Sequence, residues 1–280
     1  MDLRFRIVLV GFLFSVHSSN LHAGSLPSTP PPKLRSAAVL VKDQRSGEFL
    51  MAKQADVAMP IASITKLMTA MVILDAQLDL EEIITIQEAD RDILRNSHSR
   101  LPIGTRLSRR EALLVSLMAS ENRAARALGR TFPGGTMALV RAMNEQARSF
   151  GLSETRFEDP AGLSDGNISS AKDLSRLVEK ACNYPLICAY STRTEVTLRR
   201  EPKELHFANT NALVHNPRWQ IGLSKTGYIG VAGRCLVMQT QLAQRPVLMV
   251  LLNSTGKNTR LGDANRIRQW LEGPKSRRKK

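Results

Sequence analysis

The chain is poor in cysteine, histidine and aromatic residues, with 3 Cys, 5 His and 5% aromatics among 280 residues. Three cysteines cannot build a disulfide scaffold. Cys182 and Cys188 are close enough in sequence to pair in an oxidising compartment. None of the three stands beside a candidate catalytic base, so packing or a structural bridge is expected, not a thiol nucleophile. His98, His206 and His215 fit no H-E-x-x-H or other metal-ligand spacing. No G-x-S-x-G elbow, phosphate-binding glycine loop or internal repeat is present. These absences leave histidine-activated serine, metal and nucleotide chemistry without a motif, and no cofactor is expected. No apolar run approaches the roughly 20 residues that span a bilayer.

The longest early apolar run, Ile7 to Phe14, follows Arg4 and Arg6 and reads as a secretory signal over residues 1–23, with cleavage after Ala23 and Ser18 as a competing end point. The Pro-rich stretch Pro27 to Pro32 marks a linker over 24–35. One catalytic domain is expected over 36–273, then a basic tail over 274–280, where five of the last six residues are Lys or Arg. The formal charge is +15, and +14 once Arg4, Arg6 and Asp2 leave with the signal. Such a balance favours anionic partners. No nucleic-acid-binding signature accompanies it. An exported protein with this charge is expected in the periplasm, with loose attachment to an anionic envelope and no transmembrane span.

Apolar, β-prone runs crowd both ends of the chain. Ala37 to Val41, the turn Arg45-Ser46-Gly47 and Phe49 to Ala52 predict an opening hairpin. Past Pro185 the pattern turns to strands, at Thr194 to Leu198, Gln220 to Thr226, Cys235 to Gln239 and Val247 to Leu252. The middle has helical periodicity. Ile64 to Leu74 predicts a buried helix, and Ser108 with Glu111 forms a capping box ahead of Ala112 to Met118. Val140, Met143, Ala147 and Phe150 fall at helical spacing, with Gly151 as a stop. Ser170 precedes another helix, and Ile267, Trp270 and Leu271 close the chain on a last one. The expected fold is α+β, with an antiparallel sheet built from both chain ends and a helical subdomain inserted.

Three motifs stand out against this background. Ser63-Ile64-Thr65-Lys66 is S-x-x-K, Ser120-Glu121-Asn122 is S-x-N, and Lys225-Thr226-Gly227 is K-T-G. Each alone is weak. In this order they assemble one acyl-transfer site. Residues three apart on a helix share a face, so Lys66 reaches the Ser63 hydroxyl. A lysine accepts that proton near neutral pH when burial and a second cation such as Lys225 lower its pKa. Ser120 is placed to shuttle protons, Asn122 to hold substrate and Lys66, and Lys225 with Thr226 to bind a carboxylate.

The motifs and longer stretches resemble the low-molecular-mass penicillin-binding proteins, the serine DD-peptidases of bacterial cell walls. The likeness covers roughly residues 36–272. It includes Pro60 to Thr69, Thr155 to Leu163 and Phe207 to Leu213. The resemblance implies the penicillin-binding/β-lactamase-like transpeptidase fold. It makes Ser63 the nucleophile, Lys66 its base and Ser120 a catalytic partner. Asn122, Lys225, Thr226 and Gly227 would contact substrate, and the backbone N–H groups of Ser63 and Tyr228 would form the oxyanion hole. Its implied partners are peptidoglycan stem peptides and β-lactam antibiotics. Within the family the endopeptidases fit best, because only 53 residues follow Gly227 and leave no room for a further β-rich domain and an amphipathic anchor. Three alternatives stay open: a D-alanyl-D-alanine carboxypeptidase, a class A-like β-lactamase and a non-catalytic envelope-binding protein. The lactamase needs a glutamate in an E-x-x-L-N context, which the sequence around Glu158 and Leu163 does not supply.

Overall fold

The computed structural model describes residues 29–200 and 203–273. The expected signal and the basic tail lie outside them. Strands β1 (Ser36–Asp43) and β2 (Phe49–Lys53) form the opening hairpin, with Gly47 of its turn at φ +78°. Strand β3 (Met59–Pro60) leads through a 3-10 turn (Ala62–Thr65) into helix α1 (Lys66–Asp75). Strands β4 (Ile83–Thr85) and β5 (Arg106–Ser108) pair as a ribbon before α2 (Arg109–Met118), α3 (Asn122–Arg130) and α4 (Gly135–Ser149). Strand β6 (Ile168–Ser169) returns to pair with β3. Helices α5 (Ala171–Ala181) and α6 (Pro185–Thr192) follow, then the hairpin β7 (Glu195–Arg200) and β8 (Lys203–Ala208). The meander β9 (Gln220–Ile229), β10 (Gly233–Leu242) and β11 (Arg245–Ser254) runs into α7 (Thr259–Glu272).

The central sheet has the order β2-β1-β11-β10-β9 and is antiparallel throughout. Both chain ends supply it, as the placement of apolar runs predicts. Its two faces follow from the strand period of two. Ala38, Leu40, Leu248, Val250 and Leu252 point into the core shared with α1, α2 and α5. Val39, Val41, Val247, Met249 and Leu251 point the other way, onto Ile267, Trp270 and Leu271 of α7. A near-continuous apolar run such as Val247 to Leu252 is what a strand covered on both faces requires.

The capping box at Ser108 is present, with Glu111 N–H donating to Ser108 Oγ at 3.1 Å and Ser108 N–H to Glu111 Oε2 at 2.9 Å. Leu139 replaces Val140 on the buried face of α4, beside Met143 and Ala147. Two expectations change. Pro185 starts α6 instead of ending helical structure, since a first-turn proline forfeits no helical hydrogen bond. The strand expected at Thr194 pairs only with β8 and stays outside the central sheet. Part of the Pro-rich stretch packs on the body: Trp270 Nε1 donates to the Thr29 carbonyl at 2.9 Å. Cys182, Cys188 and Cys235 are free thiols.

Candidate active site

Ser63 lies in the 3-10 turn ahead of α1, and Lys66 is the first residue of α1. Residues three apart eclipse each other in a 3-10 turn. Ser63 Oγ and Lys66 Nζ therefore meet at 2.7 Å. Lys66 is wholly buried, and its Nζ also lies 2.8 Å from Asn122 Oδ1 and 2.5 Å from the Ala161 carbonyl oxygen. Burial pulls its pKa from 10.5 down to about 7, against the weaker opposing charges of Asp159, Glu121 and Asp92. Two of the three partners are carbonyl oxygens, which only accept. A neutral amine has two N–H bonds and one lone pair. In the charged form Nζ donates to Ser63 Oγ, whose own hydroxyl points to the Ala161 carbonyl at 3.3 Å; once neutral, the amine has N–H bonds for both carbonyls and a lone pair for the Ser63 proton.

The Ala161 carbonyl is positioned by Asp159. That carboxylate accepts from the backbone N–H groups of Ala161, Gly162, Leu163 and Ser164 at 2.6 to 3.0 Å, and from Asn167 Nδ2 at 2.7 Å. Gly162, at φ +79°, passes so close that a Cβ there would sit 2.1 Å from the Ala62 oxygen. This explains why an Asp and a Gly stand in the Thr155 to Leu163 stretch. Glu158 in the same stretch bonds Ser164 Oγ and Arg156, not the serine–lysine pair.

The second motif joins α2 to α3. Ser120 adopts φ +60°, which is strained for a residue with a Cβ. The backbone there is held on both sides, with the preceding Ala119 N–H donating to the Val115 carbonyl at 3.1 Å. Glu121 N–H donates to the Val115 carbonyl at 3.1 Å, and the Glu121 carboxylate accepts from Ser99 Oγ at 2.5 Å. Asn122 then opens α3 with Oδ1 on Lys66 and Nδ2 donating to Ser97 Oγ at 2.8 Å. The motif follows the end of α2 and is also a helix start, with Glu121 as N-cap of α3.

The third motif lies on edge strand β9. Lys225 is buried, with Nζ 2.9 Å from Ser120 Oγ and 3.0 Å from the Thr226 carbonyl. Burial, then Lys66 and Arg260, lowers its pKa well below the ordinary lysine value. Gly227 has a steric reason: a Cβ there would sit 2.7 Å from the Ile61 oxygen and 3.1 Å from Ser63 N. The glycine lets β9 close on the turn that carries Ser63, bringing the Tyr228 segment alongside it.

A cavity of about 350 Å³ opens on these groups, lined by Ser63, Ser120, Asn122, Thr226, Gly227 and Tyr228. All eight residues expected at the site converge there, with Lys66 and Lys225 standing behind the two serines. Sequence reasoning missed Thr210, Arg234 and Arg260, which also line it. The Thr226 hydroxyl donates to Thr210 Oγ1 at 2.6 Å. Arg260, from α7, donates Nη1 to the Gly227 carbonyl at 3.0 Å, and its Nε is buried without a protein acceptor. Burial and the neighbouring Arg234 lower its pKa to about 10, so it stays cationic at neutral pH. The cations on the cavity wall are thus Arg234 and Arg260, while Lys225 faces Ser120. No local pattern around Arg260 could have signalled this, because only the fold brings this α7 side chain to the Gly227 carbonyl of β9. Among the described residues no group of His, Cys, Asp and Glu is arranged to hold a metal ion, and no helix is long and apolar enough to cross a membrane.

The chain matches the family model described as D-alanyl-D-alanine carboxypeptidase over residues 26–256. It is 45% identical over 260 residues to the D-alanyl-D-alanine endopeptidase of Pseudomonas aeruginosa, covering 89% of this chain and 84% of that one. It is 41% identical over 243 residues to the D-alanyl-D-alanine endopeptidase of Escherichia coli K12, covering 86% and 78%. The crystal structure of the Streptomyces K15 DD-transpeptidase superposes with a TM-score of 0.80 at 25% identity, over 86% of this chain and 98% of that one. The resemblance and fold expected from the three motifs are borne out, and the chain belongs to the serine D-alanyl-D-alanine peptidase family S11.

Proposed function

We propose that this protein is a D-alanyl-D-alanine endopeptidase that hydrolyses peptidoglycan peptide cross-links through an acyl-enzyme on Ser63. The observation that carries the chemistry is the 2.7 Å contact of Ser63 Oγ with a buried Lys66 whose pKa is held near 7. The Pseudomonas aeruginosa and Escherichia coli relatives, at 45% and 41% identity, bear the endopeptidase name.

Neutral Lys66 takes the Ser63 proton as Oγ attacks the D-alanyl carbonyl. The backbone N–H groups of Ser63 and Tyr228 receive the oxyanion. The tetrahedral intermediate collapses as the C–N bond breaks, and the proton reaches the leaving amine through Ser120, which Lys225 holds. Asn122 keeps Lys66 in place and faces the substrate. The leaving group's carboxylate rests between Thr226 and Arg260. Water then attacks the ester, with Lys66 again as base. A β-lactam enters the same steps but leaves nothing that can depart, so the serine stays acylated. Glu158, tied to Arg156 and Ser164, supplies no lactamase-type deacylating base.

The test is product analysis on a defined cross-linked muropeptide dimer beside an uncross-linked pentapeptide monomer. The expected result is a higher kcat/KM on the dimer. A clear preference for the monomer overturns the endopeptidase assignment in favour of carboxypeptidase action. Export to the periplasm with loose, charge-based envelope attachment belongs to the same proposal. Fractionation should release the protein at high salt, because surface attraction is screened. Retention at high salt would contradict it.

A further inference from the structure

The catalytic cavity does not end at Arg260. Tyr228 and Arg234 line both it and a second cavity of about 330 Å³, which continues between the β9–β10 turn and the β11–α7 loop. Tyr228 on β9 and Arg234 on β10 are paired directly across the ladder, and Arg234 in turn pairs with Ser254 on β11. Their side chains share one face with Thr226, two residues before Tyr228. The Arg234 guanidinium stacks on the Tyr228 ring, 4.4 Å from its centroid. A stacked guanidinium keeps its N–H edge free to meet a carboxylate while the ring fixes its plane. Exposed Lys257 adds a second cation on the far wall. No acidic residue lines either cavity. Among the described residues no ion pair engages Arg234, Lys257 or Arg260.

The substrate's chemistry gives this track a use. In carboxypeptidase action the leaving group is a single D-alanine, whose one carboxylate is taken up by Thr226 and Arg260. In endopeptidase action the leaving group is a whole stem peptide. Beyond the carboxylate next to its reacting amine it carries further carboxylates, those of its glutamyl residue and its own C-terminus. Only this longer leaving group has a further carboxylate to offer beyond the one met by Thr226 and Arg260.

We infer that Arg234, braced on Tyr228 and seconded by Lys257, is a specificity subsite that binds a distal carboxylate of the leaving stem peptide and so favours cross-linked substrate. This inference rests on the endopeptidase reading of the site. A charge-assisted pair at a partly exposed position predicts an effect of about tenfold on the dimer-to-monomer ratio of kcat/KM.

The experiment uses the full-length enzyme and two perturbations. One is Arg234→Gln beside Arg234→Lys. The other leaves the enzyme untouched and offers it the dimer with the distal carboxylates of its leaving stem amidated. The expected results are a roughly tenfold lower dimer-to-monomer ratio for Arg234→Gln, carried mostly by KM, with partial recovery in Arg234→Lys. The wild-type enzyme should lose a similar factor on the amidated dimer. The subsite is refuted if wild type prefers the dimer and both Arg234→Gln and amidation leave that preference intact. A wild-type enzyme that prefers the monomer refutes the endopeptidase reading itself, and the subsite with it.

Discussion

Lys66 is predicted to set the pH dependence of acylation. With a pKa of about 7, roughly half of the enzyme holds the neutral base at pH 7. A lysine left at 10.5 would be neutral in only about 3 molecules in 10,000, so burial raises the available base roughly 1,500-fold. The same shift corresponds to a differential cost of about 5 kcal/mol for charging Lys66 in place, an order-of-magnitude figure for a wholly buried group. The direction follows: the reactive form is deprotonated, so the acylation rate falls as pH drops through 7. The assay is the second-order rate of labelling by a fluorescent penicillin from pH 5 to 9. The rate should fall about tenfold per unit below pH 6 and level off above pH 8. Lys66→Arg keeps a cation but forfeits the base, since guanidinium does not deprotonate. It should lose activity almost as completely as Lys66→Ala. A flat profile between pH 5.5 and 8, or an active Lys66→Arg enzyme, would refute the neutral-base mechanism.

Two further substitutions probe the frame that holds this pair. Gly227→Ala drives a methyl group to 2.7 Å from the Ile61 oxygen, so β9 must retreat from Ser63. Penicillin acylation should fall about 100-fold with the fold retained, as a displacement near 1 Å implies; near-normal labelling would show that the close approach does not matter. Asp159→Asn sets an amide N–H₂ against donors that now share the carboxylate, and it should cost about 2–4 kcal/mol in denaturant unfolding. Asp159 is also the charge that raises the Lys66 pKa most, so the acylation profile should move to lower pH. An unchanged midpoint and an unmoved profile would contradict its role under the Ala161 carbonyl.

The catalytic centre was legible in the sequence to the extent that its chemistry is local. Ser63 and Lys66 meet because three residues separate them, and the apolar neighbours of Lys66 announced its burial. The apolar, β-prone runs Ala37 to Val41 and Val247 to Leu252 carried the sheet. What stayed hidden depends on elements meeting in space. Arg260 reaches the site only because α7 packs on β10 and β11, and Asp159 matters only because its loop folds against the turn that carries Ser63. Pro185 misled because a proline that breaks a helix interior also starts one. Lys225 places its amine beside Ser120, and Arg234 and Arg260, which no local pattern marked, supply cations on the cavity wall.

The central claim is that Ser63 is the acylated residue. Intact-mass and tryptic-peptide analysis after incubation with benzylpenicillin tests it most directly, with Ser63→Ala alongside. The account predicts one stoichiometric adduct, on Ser63 in the peptide Gln54 to Lys66, and none on a folded Ser63→Ala protein. An adduct on another residue, or labelling that survives Ser63→Ala, would contradict it.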